Sequence, residues 1–527
     1  MAKVLITDKI NDLAVKIVAR IADVDNLPTM DEDKLCEIIG DYDALLVRSQ
    51  TKVTSKIIEA AKNLKIIGRA GVGVDNIDVA AATQKGIIVV NSPDGNTHAA
   101  AEHTIAMMMA MSRNIPLADA SVKKGLWERS KFTGVEVFNK TLGVIGLGKI
   151  GAHVANVAMS LGMKVVVFDP YANREMVEKM GATYIQHLDD FWGMFDYLTI
   201  HTPKTKETAG LININTLNRM KKGVRIINCA RGGIIDEAAL AKALESGQVA
   251  QCAIDVYEDE KNVDKSPLIN FDKQVVLTPH LGASTDEAQI NVALDVANQV
   301  VDVLSGRDAT SAINIPALKP QKLEAVKEYM GLAEDIAQIA SQLSNGAIKT
   351  LDIEVSGKLA TLDISPLEIA ILKGILSANM DGINYVNAPI IAKQREIDVK
   401  TSKNNDSENA ICVKIETSEK VTFVKGALIA KGIKRITQIN NYCASIEPKE
   451  HMLLVPHINK PNMVAKVAGV LGMDCVNISG MQVAQSMDDK NKSIMIISVD
   501  SKVEQSTLDK IAQTDGVDKA KFISLKA

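Results

Sequence analysis

Short apolar runs rich in β-branched residues alternate with helical stretches over the first hundred residues. The runs are Val4–Ile6, Leu45–Val47, Ile66–Ile67 and Ile87–Val90, and each gives way to polar or glycine-rich turn residues: Thr7-Asp8, Arg48-Ser49, 68–73 and 91–96. Parallel strands buried on both faces read this way. A stretch free of Gly and Pro from His98 to Ile115 predicts a long helix stopped by Pro116, and a second runs from Thr285 to Ser305 before Gly306. Between them the alternation restarts with Leu142–Ile145, Val165–Phe168, Tyr197–Ile200, Arg225–Asn228, Gln251–Val256 and Val275–Leu277. The pattern predicts a second doubly wound domain inserted within the first.

After Pro316 the character shifts. Residues 321–345 predict one amphipathic helix, an α/β mixture follows, and the polar stretch 401–409 predicts an exposed hairpin loop. From Met452 the order strand, helix, strand, strand, helix, strand over about 75 residues suits a small ferredoxin-like module. The expected architecture is α/β, with two Rossmann-like domains. Residues 1–97 with 284–316 form one and residues 98–283 the other; an α+β segment (317–450) and the C-terminal module (451–527) follow.

Composition narrows the function. Apolar residues make up 46% and aromatics 3%, and 60 basic against 64 acidic residues leave a net charge of −4. No basic field or set of stacking rings invites nucleic acid. Six cysteines (36, 229, 252, 412, 443 and 475) form no CxxC pair, which argues against a disulfide framework or a structural metal and for a reducing, cytoplasmic setting. The first residues lack a signal-like apolar region, and no window nears the ~20 apolar residues of a membrane span.

The strongest local signal is Gly146-Leu-Gly148-Lys-Ile-Gly151, which breaks a strand and opens an apolar-faced helix. Gly146 permits the turn, Gly148 lets backbone approach a pyrophosphate, and Gly151 allows close helix–strand packing. Asp169 ends the next strand 18 residues after Gly151, where a carboxylate takes the adenosine ribose and repels a 2′-phosphate, so NAD is expected rather than NADP. A hydride-transfer site also needs a cation and an acid/base. Arg231 follows a strand in Asn-Cys-Ala-Arg-Gly-Gly, and its fork suits a carboxylate with a carbonyl. His280, in Thr-Pro-His-Leu-Gly-Ala-Ser-Thr, suits proton transfer near neutrality. Its carboxylate partner lies among Glu258, Asp259 and Glu260. Met107–Met111 reads as helix-packing core, and Lys123-Lys124 as a solvated helix end. His98, His103, His153, His187 and His201 lack ligand spacing, so no metal is expected.

These segments, with Val47-Arg-Ser, 68–76, 91–97, 99–103 and Trp127-Glu-Arg129, resemble in order the D-2-hydroxyacid dehydrogenases over the first 315 residues or so. The resemblance is to the long forms that oxidise 3-phosphoglycerate with NAD in phosphorylated serine biosynthesis. It implies Arg231, Glu260 and His280 as the catalytic trio, although Lys261 stands where a Pro is usual. It further implies that Val72, Lys149, Ile150, Asp169, Thr202, Cys229, Ala230, Asp255, Leu281, Gly282 and Ala283 contact the cofactor together with the fingerprint glycines. The substrate carboxylate would meet the amides around Val72 and Gly73, and the phosphate would meet Arg48, Arg69 and Arg129 of a neighbouring subunit in a homodimer or homotetramer. Glyoxylate or hydroxypyruvate reductases and nucleotide-sensing corepressor scaffolds share the core; the long tail and the arginine set argue against the first, and the tail and the absence of long disordered arms against the second. The tail resembles an ACT module whose effector, L-serine, would meet His457, Asn459 and Asn477, with Asn462 where a Gly is usual.

Overall fold

Five parallel strands, β1 (Ala2–Ile6), β2 (Ala22–Asn26), β3 (Ala44–Val47), β4 (Ile66–Arg69) and β5 (Ile88–Val90), pair in the order β2-β1-β3-β4-β5. The computed structural model describes the chain apart from residues 316, 317, 319, 406, 407, 431 and 527. The expected domain limit at 316/317 and the middle of the 401–409 loop therefore lie outside the described residues. Strand β2 escaped the pattern because it is an edge strand: of its five residues only Ala22 is buried.

The chain leaves this sheet through the helix Thr97–Ser112. Pro116 does not stop that helix: the break comes at Asn114, whose φ is +54°, and Pro116 sits in the first turn of the next helix, Ile115–Lys123. A second parallel sheet follows, built from β6 (Thr141–Ile145), β7 (Lys164–Phe168), β8 (Thr183–Tyr184), β9 (Tyr197–Ile200), β10 (Val224–Asn228), β11 (Val249–Ile254) and β12 (Val275–Leu277). Its order, β12-β11-β10-β9-β6-β7-β8, reverses direction between β6 and β9 and so makes a crevice at their carboxyl ends. The return helix Asp286–Leu304, capped by Thr285 Oγ1 accepting from the Ala288 amide at 3.1 Å, packs back on the first sheet. Gly68 makes room for it, since a Cβ there would lie 2.5 Å from Val296 Cγ1.

Beyond residue 320 the single helix expected over 321–345 is two, Pro320–Leu323 and Lys327–Leu343. The longer one packs with the helix Ser365–Ser377 on a six-stranded mixed sheet of β13 (Ile348–Ser356), β14 (Asp398–Asn404), β15 (Ala410–Thr417), β16 (Val421–Ala430), β17 (Ile433–Ile439) and β18 (Tyr442–Ile446). Residues 401–404 are not loop: they belong to β14, an exposed edge strand parallel to β13 whose polar side chains hid it. The last sheet holds β19 (His451–Ile458), β20 (Ile478–Gln485), β21 (Lys492–Val499) and β22 (Lys521–Ser524) in the order β20-β21-β19-β22. Helices Met463–Met473 and Gln505–Ala512 complete a ferredoxin-like βαββαβ unit. Among the described residues no helix is long and apolar enough to cross a membrane.

Candidate active site

The loop after β6 is shaped by what its glycines exclude. Gly146 has φ +89°, and a Cβ on it would lie 2.7 Å from His201 O; one on Gly151 would fall on Gly146 O. A Cβ on Gly148 would meet nothing within 4 Å, so the space above the helix N-terminus at Lys149 stays open. Asp169, just past β7, accepts the Leu147 amide at 2.7 Å and the Tyr171 amide at 2.8 Å, which fixes its carboxylate beside that loop. The Thr202 hydroxyl, after β9, is buried with no partner. Open space over a helix N-terminus, a fixed carboxylate and an orphaned hydroxyl fit a dinucleotide.

Across the crevice, the end of β10 presents Arg231. Asn228 shapes this turn by accepting the Ala230 amide and donating to Arg231 O, both at 3.0 Å. The guanidinium donates to Ala230 O at 2.7 Å and lies 3.3 Å from Asp75 Oδ2, against Gly73. The Cys229 thiol beside it is pushed up to about 12 by burial and by Asp255, so it is no nucleophile near neutrality.

His280 and Glu260 meet, with Nδ1 2.8 Å from Oε1. The other two acids are otherwise engaged: Glu258 accepts the Glu237 amide at 3.0 Å, and Asp259 accepts Lys261 N and Asn262 Nδ2. His280 holds φ +55°, rare for a residue with a side chain. Fully buried Asp255 sustains that turn: it accepts Thr278 Oγ1 at 2.6 Å, Leu281 N at 2.8 Å and Gly282 N at 2.9 Å, and its own carbonyl takes the His280 amide at 2.9 Å.

The turn of Arg231 comes close to the His280 turn, since a Cβ on Gly282 would lie 3.9 Å from Cys229 O, and Arg231 belongs to a cluster of cations. Arg69 donates to Asn76 Oδ1 at 3.0 Å and folds over Gly71; burial, then repulsion from Arg231, brings its pKa down to about 10, with Arg48 adding to the effect. Arg48 is placed by Asp8, which accepts its amide at 2.6 Å and the Thr51 hydroxyl at 2.6 Å. Three guanidiniums that sense one another, with Asp75 and Asp8 the acids that act on Arg69, can attract an anion. Lys149 crosses to an ion pair with Asp94, and Ser92 Oγ and Asn96 Oδ1 in the same loop are buried without partners. Arg129 is not in this cluster: it lies exposed beside Trp127, which is 80% exposed. Sequence reasoning gave no role to Asp8, Asp75, Asp94, Asn228 or His103. Asp75, Asp94, Asn228 and His103 sit inside the quoted motifs, whereas Asp8 lies outside them; the three aspartates act through contacts made at a distance in the chain.

In the C-terminal unit, His457 is 3% exposed, its Nδ1 2.7 Å from Ile458 O and its Nε2 buried without a partner. Asn459 donates to Lys490 O at 3.1 Å, and Asn477 is tied to Asp500. Asn462 takes φ +73°, the conformation a glycine would supply.

Residues 105–282 match the family described as D-isomer specific 2-hydroxyacid dehydrogenase, NAD binding domain, and residues 325–440 match the D-3-phosphoglycerate dehydrogenase intervening domain. The chain is 46% identical over 530 residues to the D-3-phosphoglycerate dehydrogenase of Synechocystis sp., covering 100% of this chain and 95% of that one. The enzyme of the same name from Methanocaldococcus jannaschii is 40% identical over 528 residues, with both chains covered in full, 100% each. Among solved structures, a glyoxylate reductase from Paecilomyes thermophila superposes with TM-score 0.56 at 30% identity, covering 60% of this chain and 99% of that one. The D-lactate dehydrogenase of Aquifex aeolicus, complexed with NAD and lactic acid, gives 0.52 at 28% identity over 57% and 96%. NAD is the cofactor of the inserted domain. With the crevice, the turn residues and full-length relatives in agreement, the chain belongs to the D-3-phosphoglycerate dehydrogenase family of D-2-hydroxyacid dehydrogenases.

Proposed function

We propose that this chain oxidises D-3-phosphoglycerate to 3-phosphohydroxypyruvate, the first step of phosphorylated L-serine biosynthesis. The observation that carries this reading is the cluster of Arg48, Arg69 and Arg231, the last on the turn that approaches the His280 turn, where His280 pairs with Glu260: a place for a hydroxy acid with two anionic groups and a base for its hydroxyl. Bound NAD supplies the hydride acceptor. Arg231 and the amides around Val72 and Gly73 hold the substrate carboxylate, and Arg231 also steadies the carbonyl as it forms. His280 takes the hydroxyl proton on Nε2, and Glu260 at Nδ1 orients the ring and stabilises its charged form. Arg48 and Arg69 take the phosphate, joined by Arg129 of a second subunit. The test is the initial rate of NAD reduction with D-3-phosphoglycerate beside unphosphorylated D-glycerate: the phosphate should raise kcat/KM by at least about 100-fold, as expected when two half-buried cations lose their anion, and equal rates would refute the reading.

The C-terminal unit is read as an ACT module that binds L-serine at His457, Asn459 and Asn477, supported by the buried, unpartnered Nε2 of His457. Serine should inhibit the wild-type chain but not His457→Ala; inhibition of both would reject this site. Exposed Val122, Leu126 and Trp127, close to Arg129 in the chain, support a homodimer or homotetramer, and the free state of the cysteines supports a cytoplasmic setting.

A further inference from the structure

The turn that carries His280 has a second support behind it. The helix Thr97–Ser112 packs on β10, β11 and β12. From its middle, His103 reaches the base of the turn, with Nε2 3.2 Å from both Asp255 Oδ1 and Thr278 Oγ1. Because the Thr278 hydroxyl already points its proton at Asp255, the imidazole serves this carboxylate only as an Nε2–H donor. The other groups facing this spot are the Cys229 thiol, the Met107 sulfur 3.7 Å from Thr278 Oγ1, and Tyr257, whose hydroxyl donates to Thr278 O at 3.0 Å.

Asp255 is fully buried, so its charge has to be met by hydrogen bonds. Burial pushes its carboxyl up, and the bonds from His103, Thr278 and the Leu281 amide outweigh that and hold it below the ordinary carboxylate range. The carboxylate in turn fixes residues 278–282 and keeps His280 at its positive φ, a conformation that its surroundings must hold. The contacts of His103 run to Asp255 and Thr278 rather than to His280 itself. It acts one layer back, through Asp255.

We propose that His103 is a positioning residue for the oxidation: by donating to Asp255 it keeps the 278–282 turn in the geometry that aims His280 at the substrate hydroxyl. The inference rests on the reading of His280 as the base. His103→Ala and His103→Gln in the full chain test it, since a glutamine amide nitrogen reaches near the place of Nε2. Misplacing a reacting group by about an ångström costs about 100-fold. The Ala variant should therefore lose about 10- to 100-fold in kcat with KM for 3-phosphoglycerate within about threefold, and the Gln variant should recover most of the loss. The primary isotope effect on kcat with 2-deuterated substrate should rise in the Ala variant as the chemical step becomes limiting. Modification of half-exposed His280 by diethyl pyrocarbonate in the cofactor-free chain, followed by mass spectrometry, should also change in Ala and return in Gln.

Unchanged kcat in the Ala variant would overturn the inference. So would equal losses in both variants with a wild-type isotope effect, which mark a smaller folded fraction. A fully active His280→Ala chain would instead overturn the reading beneath it.

Discussion

The three glycines of the fingerprint occupy different environments, and alanine at each should fail for a different reason. At Gly148 the backbone (φ −65°, ψ −171°) is open to any residue, and an added Cβ meets nothing within 4 Å. Alanine gains about 0.4–1 kcal/mol by restraining the unfolded chain and loses about the same as a poorer N-cap. The cofactor-free protein should melt within about 2 °C of wild type, because a net change well below 1 kcal/mol moves a domain of this size little. The methyl group, however, fills space that a pyrophosphate needs. A loss of about 10- to 100-fold in NADH affinity, or about 1.4–2.8 kcal/mol, is expected. Gly151→Ala should behave in the opposite way: its Cβ falls on the Gly146 carbonyl, so helix and strand must separate, and overpacking of that kind costs about 1–3 kcal/mol before any ligand is present. Gly146→Ala adds a disfavoured positive φ to a 2.7 Å approach to His201 O and should also lower the melting point. NADH fluorescence titration beside thermal melts without cofactor separates the three. A Gly148→Ala protein that binds NADH like wild type, or melts as early as Gly151→Ala, would refute the reasoning.

Three further outcomes follow from the geometry. Arg69→Gln removes a guanidinium that burial and Arg231 already disfavour, so KM for 3-phosphoglycerate should rise at least about 10-fold while the melting point does not fall; a lower melting point with unchanged KM would show that Arg69 serves the fold. The carboxylate of Asp169 should hold NADP to about 1% of the kcat/KM seen with NAD through repulsion of the 2′-phosphate, and Asp169→Asn should narrow the gap in steady-state assays with both cofactors; equal use by wild type would refute the assignment. Burial pulls the His201 pKa from 6.5 to about 4, so between those values the unfolded chain binds more protons and stability falls as pH drops, with a slope of up to about 1.4 kcal/mol per pH unit. Denaturant titrations of wild type and His201→Gln over pH 4–7 should show a shallower slope in the variant, and parallel curves would exclude His201 as the source.

Features governed by a few neighbouring residues could be read from the sequence alone. Most strands of both parallel sheets announced themselves as apolar runs because they are buried in the sheet, and β2, β8 and β14 stayed hidden because their positions at sheet edges let polar side chains face water. The fingerprint was legible for the same local reason, since the φ of Gly146 and the close approach at Gly151 are demands that only glycine meets. The acid beside His280 was legible only through the family resemblance, which pointed to Glu260: Glu258, Asp259 and Glu260 are alike in local sequence, and Glu260 is left free to reach the imidazole because the Glu237 amide occupies Glu258 and the 261–262 turn occupies Asp259. The members of the cation cluster were likewise named only through that resemblance, because Arg48, Arg69 and Arg231 come from three strand ends in two domains and meet only where the inserted domain faces the first. His103 showed no partner at any ligand spacing and found Asp255 through the packing of a helix against a sheet. Tertiary structure decided these pairings because charge and hydrogen bonding act over a few ångströms of space, whatever the distance along the chain.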